Sequence, residues 1–469
     1  MHWVDLTIIL IFLAGFSAYG LWQSRYNQSS ADYFLGGRNL PWPVAMLSIV
    51  ATETSVLTFI SVPGLAYRDD WFFLQLAIGY IIGRILVSLF LLPQYFKSGV
   101  TSIYEVIGNK FGLEIQKVAS GVFLITRILA DGVRFLATAV VVQVITGWSL
   151  SSAVMIIGAV TLVYTLSGGI RTVVWVDSIQ FILYLFGGIA SIWIVLNQLD
   201  QSIFEVIPIL KEHGKLAIFN WEGNFIKEPY YFISATIGGA LLSFSSHGVD
   251  YMMVQRVLGT KNLTAARKAM VGSGVFVFMQ FSVFLLAGSL IYLLMGGVEV
   301  ERDREFTSFI VNYLPIGLKG VLLAGVLSAA MSTLSSSINS LASSTVTDWL
   351  GGNQSIRKSQ GVSLVWGIVL IAIALLFDES DSAIVIVGLQ IASFTYGGLL
   401  GLFLISKLKR SFHSISLIIG LLASLAIVFV LKMNGIAWTW FVGISVLVNF
   451  AAVILIENFI QIVNPNVKR

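Results

Sequence analysis

The chain has no cysteine, few charges and little proline. Without cysteine there can be no disulfide, thiolate metal site, iron–sulfur cluster or cysteine nucleophile. Charged residues make up 11% of the 469 positions, where a soluble globular chain carries about 25%. That shortage excludes a water-soluble enzyme and a disordered protein. Lys and Arg exceed Asp and Glu by only 28 to 24, too few and too scattered for a phosphate-binding surface. No G-x-x-x-x-G-K-[ST] loop is present to drive an ATP pump. What the chain does have is apolar residues, 57% of the total, and 43 glycines against 8 prolines. Small residues without helix breakers suit helices packed closely in a bilayer. The composition is that of an all-α polytopic membrane protein.

A span needs about 20 mostly apolar residues. Thirteen stretches qualify, at roughly 4–22, 41–67, 71–96, 117–146, 149–166, 172–196, 230–256, 267–295, 318–348, 360–377, 383–406, 412–431 and 436–458. The start, Met1-His2-Trp3-Val4-Asp5, lacks a basic n-region, so the first stretch reads as a retained span. With the N-terminus outside and the C-terminus cytoplasmic, 17 of the 28 basic residues, Arg256 among them, fall in inside loops and 8 in outside ones. That bias obeys the positive-inside rule. The longest polar segments, 197–229 and 296–317, then lie outside, and the first carries a short amphipathic helix from Ser202 to Glu212. No segment is left for a soluble domain.

Ionisable groups within spans are costly and functional by default. Here they are Glu53, Arg84, Arg127, Asp131, Arg134, Asp177 and Asp250. Arg127, Asp131 and Arg134 share one helical stripe, and Asp131 neutralises one arginine, leaving one spare. The stripe reads either as a structural ion-pair cluster or as an anion-binding arginine. Residues 328–345 hold ten hydroxyls in eighteen positions. Close helix packing explains their small size, and a cation site explains their oxygens. Residues 51–58 put five polar groups in the middle of a span. Such a segment reads as a helix unwound at mid-membrane, its free carbonyls turned to a cation. Glu53 within it serves substrate or charge coupling, or pairs with Arg127 or Arg134.

Four stretches carry a likeness: Tyr164 to Gln180, Val249 to Asn262, Ala329 to Ser337 and Thr395 to Phe403. Together they resemble the sodium/solute symporter family, whose members include glucose, proline and sialic acid transporters. The resemblance implies a leucine-transporter-like 5+5 inverted repeat with discontinuous core helices 1 and 6. One helix and an inside loop (1–40) precede the first repeat (41–196, core helices 1–5). An outside loop (197–229) leads to the second repeat (230–406, core helices 6–10), and two accessory helices follow in 407–469. By the same resemblance Ala51, Thr54 and Ala329 offer carbonyls, and Ser332 and Thr333 hydroxyls, to a main sodium ion. Asp177 with Ser332, Ser335 and Ser336 matches a second sodium site. Glu53, Ser55, Thr58, Phe73, Arg134, Phe244, His247 and Gln390 are the expected substrate neighbours, Phe244 and His247 towards the gate.

Some positions depart from the pattern. The sugar branch's core-helix carboxylate and lysine fall near Ala77 and Val277, and Tyr251 stands where the motif has glutamine. The expectation is a sodium-coupled secondary symporter, not an enzyme, importing a small organic solute across the plasma (inner) membrane by alternating access. A carboxylate-bearing solute (a sialic acid, an amino acid or a monocarboxylate) suits the spare arginine. The alternatives are a sugar or polyol symporter, a proton-coupled permease and a transporter-like sensor. The expected partners are the solute, one or two sodium ions and the bilayer, with no nucleic acid and no obligatory protein.

Overall fold

The computed structural model describes residues 2–26, 29–54, 56–302, 304–352, 354–376 and 384–463, and of residues 26, 57, 137, 144, 145 and 384–393 the backbone alone. Ser55 lies outside the described residues, and so does the side chain of Gln390. Among the described residues the chain is helical, apart from one isolated bridge between Leu40 and Thr260. Helices α1 (Trp3–Gln23) and α2 (Ser30–Leu35) come first, followed by α3 (Trp42–Glu53), α4 (Val56–Arg68), α5 (Leu74–Leu86), α6 (Leu92–Ser98) and α7 (Tyr104–Phe111). Then come α8 (Leu113–Thr146), α9 (Leu150–Leu199), α10 (Ile203–Glu212), α11 (Phe232–Ser246), α12 (Tyr251–Leu258) and α13 (Leu263–Leu294). The series closes with α14 (Glu305–Tyr313), α15 (Leu318–Ser344), α16 (Ile356–Leu376), α17 (Ile384–Ser406), α18 (Ser414–Met433) and α19 (Phe441–Val463).

Two spans are broken rather than straight. The helices α3 and α4 meet at an angle of 63°, and α11 and α12 at 65°. At the first break the polar run of 51–58 ends α3, and Thr54 leaves helical geometry at φ −85°, ψ 88°. At the second, α11 ends at Ser246 and Asp250 starts the next helix: its carboxylate accepts the Met252 N–H at 3.0 Å. There the Asp250 side chain replaces a backbone partner that the start of α12 lacks.

Among the described residues, eight helices are long and apolar enough to cross a membrane, or ten when each bent pair is one span. The expected thirteen also counts three stretches that this measure does not credit separately. The helix α8 carries Arg127, Asp131 and Arg134, and α17 is described in full only over its second half. The third, α9, is 50 residues long, about 75 Å at 1.5 Å per residue and too long for one crossing. It bends at Gly169, whose φ of +60° favours glycine, and a Cβ there would stand 2.5 Å from the Tyr33 carbonyl.

Burial orders the layers. Almost every residue of α15 is buried, against about a third or less of α1, α16, α18 and α19, whose apolar faces turn outward. The hydroxyl-rich helix is thus the centre of the molecule, packed on α9, α8 and α1. Its N-terminus lacks a capping side chain of its own. Asp5 of α1 supplies one, accepting the Gly317 and Gly320 N–H groups at 2.8 and 2.9 Å. The same device recurs where Glu457 of α19 accepts the His413 N–H at 3.0 Å and the Ser416 hydroxyl at 2.9 Å, starting α18.

Candidate functional site

A cavity of about 210 Å³ opens at the two helix breaks. Glu53, Thr58, Arg127, Arg134, His247 and Tyr396 form its inner end. Phe73, Tyr80, Leu242 and Phe281 wall it, and Arg68, Asp69, Tyr230, Arg302 and Trp438 stand at its mouth. One side of α4 (Thr58, Ser61, Val62, Leu65 and Arg68, spaced three and four apart) runs along the space and brings two hydroxyls to it.

The charges at the inner end are all compensated. Glu53 bonds to Arg84, a buried arginine of α5, and lies 3.6 Å from His247 Nε2. Arg84 is anchored in turn on the Ser273 hydroxyl at 2.7 Å. The pairing expected between Glu53 and Arg127 or Arg134 does not form. Arg127 sits between Asp131 (3.5 Å) and Asp250 (3.4 Å), while Arg134 lies 3.6 Å from Asp131. Two arginines therefore face two aspartates. Asp250 cancels the charge expected to be spare, because the second break brings it against α8. At these separations the pairs are electrostatic rather than hydrogen-bonded. Arg127 Nε and Nη2 and Arg134 Nη1 are buried with no acceptor among the described residues. The net charge is zero, and the donors are still free.

A second, much smaller cavity of about 10 Å³ lies behind the first break, about the size for a single water-sized particle. Ala51, Thr54, Gln180, Phe181, Tyr184, Ala329 and Ser332 line it. Four of the five residues expected around the main sodium ion thus converge. Thr333 does not line the cavity, and its hydroxyl donates back to the Ala329 carbonyl at 3.3 Å. Gln180 is the residue missed from sequence: its amide is buried with neither atom hydrogen-bonded among the described residues. The only signal was its place at the end of the 164–180 stretch.

The residues matched to a second sodium site also come together, around a cation the chain already owns. Asp177 accepts the Ser48 and Ser332 hydroxyls, each at 2.6 Å, and pairs with Arg256 Nη2 at 3.2 Å. Arg256 also bonds Ser336, and its Nε donates to Ser48 at 2.8 Å. Ser335 turns back to the Ser332 carbonyl at 3.1 Å. Arg256, which the loop count placed at the inner surface, is fully buried. Of the expected substrate neighbours, Glu53, Thr58, Phe73, Arg134 and His247 line the larger cavity; Phe244 is buried outside its lining.

Residues 33–406 match the Sodium:solute symporter family. The human sodium/iodide cotransporter is 26% identical over 447 residues, 90% of this chain and 68% of that protein. Mouse sodium-coupled monocarboxylate transporter 1 is 28% identical, covering 89% of this chain and 71% of the relative. The sodium/sialic acid symporter NanT of Aliivibrio fischeri is 25% identical, covering 90% and 86%. A Na+-coupled sialic acid symporter solved in a substrate-bound outward-open state superposes with a TM-score of 0.88 at 22% identity, over 98% of each chain. Mhp1, a nucleobase-cation-symport-1 family transporter solved in a closed conformation, gives 0.60 at 16% identity, over 94% of this chain and 96% of its own. The architecture shared with both is the leucine-transporter-like fold.

Proposed function

Because this chain belongs to the sodium:solute symporter family, we propose that it imports a small carboxylate-bearing solute together with sodium by alternating access. The carrying observation is the pairing of two cavities at one helix break, one lined by uncharged residues only and one holding free guanidinium donors. Sodium would take the smaller, on the Ala51, Thr54 and Ala329 carbonyls and the Ser332 hydroxyl, with Thr333 as a reserve ligand once its back-bond opens. The carboxylate would take the larger, against Arg134 and the Thr58 and Ser61 hydroxyls of α4. A guanidinium grips a carboxylate with two parallel bonds, which suits free donors in a site without net charge. Iodide, monocarboxylates and sialic acid, the solutes in the relatives' names, share a negative charge.

Glu53 is already engaged by Arg84, which weighs against a titrating Glu53 and so against proton coupling. A second sodium at Asp177 requires Arg256 to give up its bonds there, so the reading favours one ion. The repeats are proposed at 41–196 and 230–406, with the breaks as hinges. The N-terminus is proposed outside, the C-terminus cytoplasmic and the location the plasma (inner) membrane. The test is uptake into proteoliposomes of the purified chain, with a panel of radiolabelled carboxylates, amino acids and sugars. A sodium gradient should drive accumulation of a carboxylate and a proton gradient should not. Uptake driven equally by protons overturns the coupling ion, and an uncharged best substrate overturns the solute class.

A further inference from the structure

Gln280 lies midway along α13, buried, and reaches across to two other helices. Its amide nitrogen donates to the Tyr184 hydroxyl at 2.9 Å, and its amide oxygen accepts the Thr54 hydroxyl at 3.1 Å. Both partners line the small cavity: Thr54 at the break after α3, Tyr184 on α9. The next residue, Phe281, lines the large cavity instead and packs on Phe73 with ring centroids 5.1 Å apart. One turn of α13 therefore touches both spaces. Tyr184 is itself wedged between Phe59 and Phe284, at 4.9 and 4.8 Å. The amide is buried, so a broken bond leaves a buried polar atom unpaired, and it follows Thr54 and Tyr184 when they move.

We propose that Gln280 is the positioning residue that transmits sodium occupancy of the small cavity to the wall of the solute cavity. The proposal rests on the small cavity being the sodium site. An ion that draws the Thr54 carbonyl inward also reorients its hydroxyl. Gln280 follows, and Phe281 shifts with the helix. Gln280 is not assigned as a ligand of either solute.

The absence of cysteine makes the test direct. Leu65→Cys places a single thiol in the large cavity, and its reaction with a charged maleimide reports the state of that wall. Thermal unfolding of the same purified protein, in sodium chloride against choline chloride, reports ion binding separately. With Gln280 intact, sodium should change the labelling rate by about tenfold. In Gln280→Met that change should fall below about twofold, while the half-saturating sodium for thermal stabilisation stays within about threefold. Should Gln280→Met fail to fold, Tyr184→Phe removes one of the two bonds without changing shape and should weaken the response in the same direction. An unchanged labelling response in a folded Gln280→Met protein overturns the proposal. So does complete loss of sodium stabilisation there, which would make Gln280 part of the ion site. Absence of sodium stabilisation in the parent protein removes the sodium reading itself, and with it this link; that result is distinct from a loss confined to the variant.

Discussion

The two cavities at the first helix break are built from opposite materials. The larger is ringed by full charges that cancel, Glu53 with Arg84 and two arginines with two aspartates. The smaller is lined by two alanines, a threonine, a serine, a glutamine, a tyrosine and a phenylalanine, with no carboxylate. Neither cavity therefore carries net charge, so the solutes would supply it to each other. Two opposite unit charges ~10 Å apart attract by ~1.7 kcal/mol at an effective dielectric near 20. A cation in one cavity and an anion in the other would each favour the other's arrival by about that amount. The cancellation also ranks the experiments, because breaking a buried pair costs more than removing one neutral oxygen.

The largest effect is expected at Arg84. Arg84→Ala leaves the Glu53 carboxylate mostly buried without its partner, which costs about 3–5 kcal/mol. The purified variant should unfold at a much lower temperature or fail to accumulate in the membrane. Adding Glu53→Gln to Arg84→Met should recover most of that stability, since the orphaned charge is then gone. A single Arg84→Ala as stable as the parent protein would show that the two cavities do not differ in this way.

Next come the neutral oxygens and the free donors. Ser332→Ala should raise half-saturating sodium at least about tenfold, ~1.4 kcal/mol. Thr333→Ala should do less, because that hydroxyl is bonded back to its own helix. Arg134→Lys keeps the charge and loses the fork, so substrate KM should rise about tenfold or more while sodium dependence stays. Sodium titrations of uptake separate these outcomes. Equal effects of Ser332→Ala and Thr333→Ala would mean that the ion opens the Thr333 back-bond on binding. A shift in sodium dependence in Arg134→Lys would mean that the cavities share ligands.

The contrast between the cavities was only half legible in the amino-acid order. Five polar groups inside an apolar span announced the first break, because nothing but lost helix hydrogen bonding calls for them there. The hydroxyl run announced a buried helix, although Ser335, Ser337 and Ser340 turn out to bond carbonyls of α15 itself. What could not be read was which charge meets which. Periodicity tells which face of a helix a residue occupies, never which helix stands opposite. So of the readings open for Glu53, the pairing one named the arginines of α8, and the partner is Arg84 of α5. Asp250, 119 positions beyond Asp131, was not seen as the aspartate that removes the spare charge. Arg256 was counted as a loop cation because it lies just before a loop, yet it closes over Asp177 in the interior. The helices and the first break follow from local composition, and the fold type and ligand set from the resemblance; charge pairing is a property of the tertiary arrangement.

A smaller effect tests whether the centre depends on its edge. Asp5 of α1 caps α15 with two backbone bonds, and a lost cap costs about 1 kcal/mol. Asp5→Ala should lower the unfolding temperature by a few degrees and raise half-saturating sodium slightly, because α15 carries Ser332. Asp5→Asn keeps an acceptor oxygen and should lose less than half as much. Sodium dependence untouched in a destabilised Asp5→Ala protein would confine the cap to folding.

The smallest effect lies beside the mouth, next to Asp69. Asp70, in the turn between α4 and α5, is half-buried, and its carboxylate accepts the Phe72 N–H at 2.8 Å. Burial pushes its pKa up to about 6, helped by neighbouring Asp69 and opposed by the Phe72 bond and Lys215. Lys215 gives little help because its ammonium is held on the Tyr67 and Arg68 carbonyls at 2.9 and 2.8 Å. An unfolded Asp titrates near 3.9, so between about pH 4 and 6 the folded protein holds a proton that the unfolded chain has lost. The contribution is fully present below that window, is lost as pH rises through it, and changes no further above pH ~7. Solvent screening of a half-exposed group keeps it below about 1 kcal/mol. Asp70→Asn should therefore flatten the fall in unfolding temperature between pH 4.5 and 6.5 and leave the variant slightly the more stable at pH 7. Parallel pH profiles for parent and variant would mean that solvent already screens Asp70, and that its partial burial has no energetic consequence.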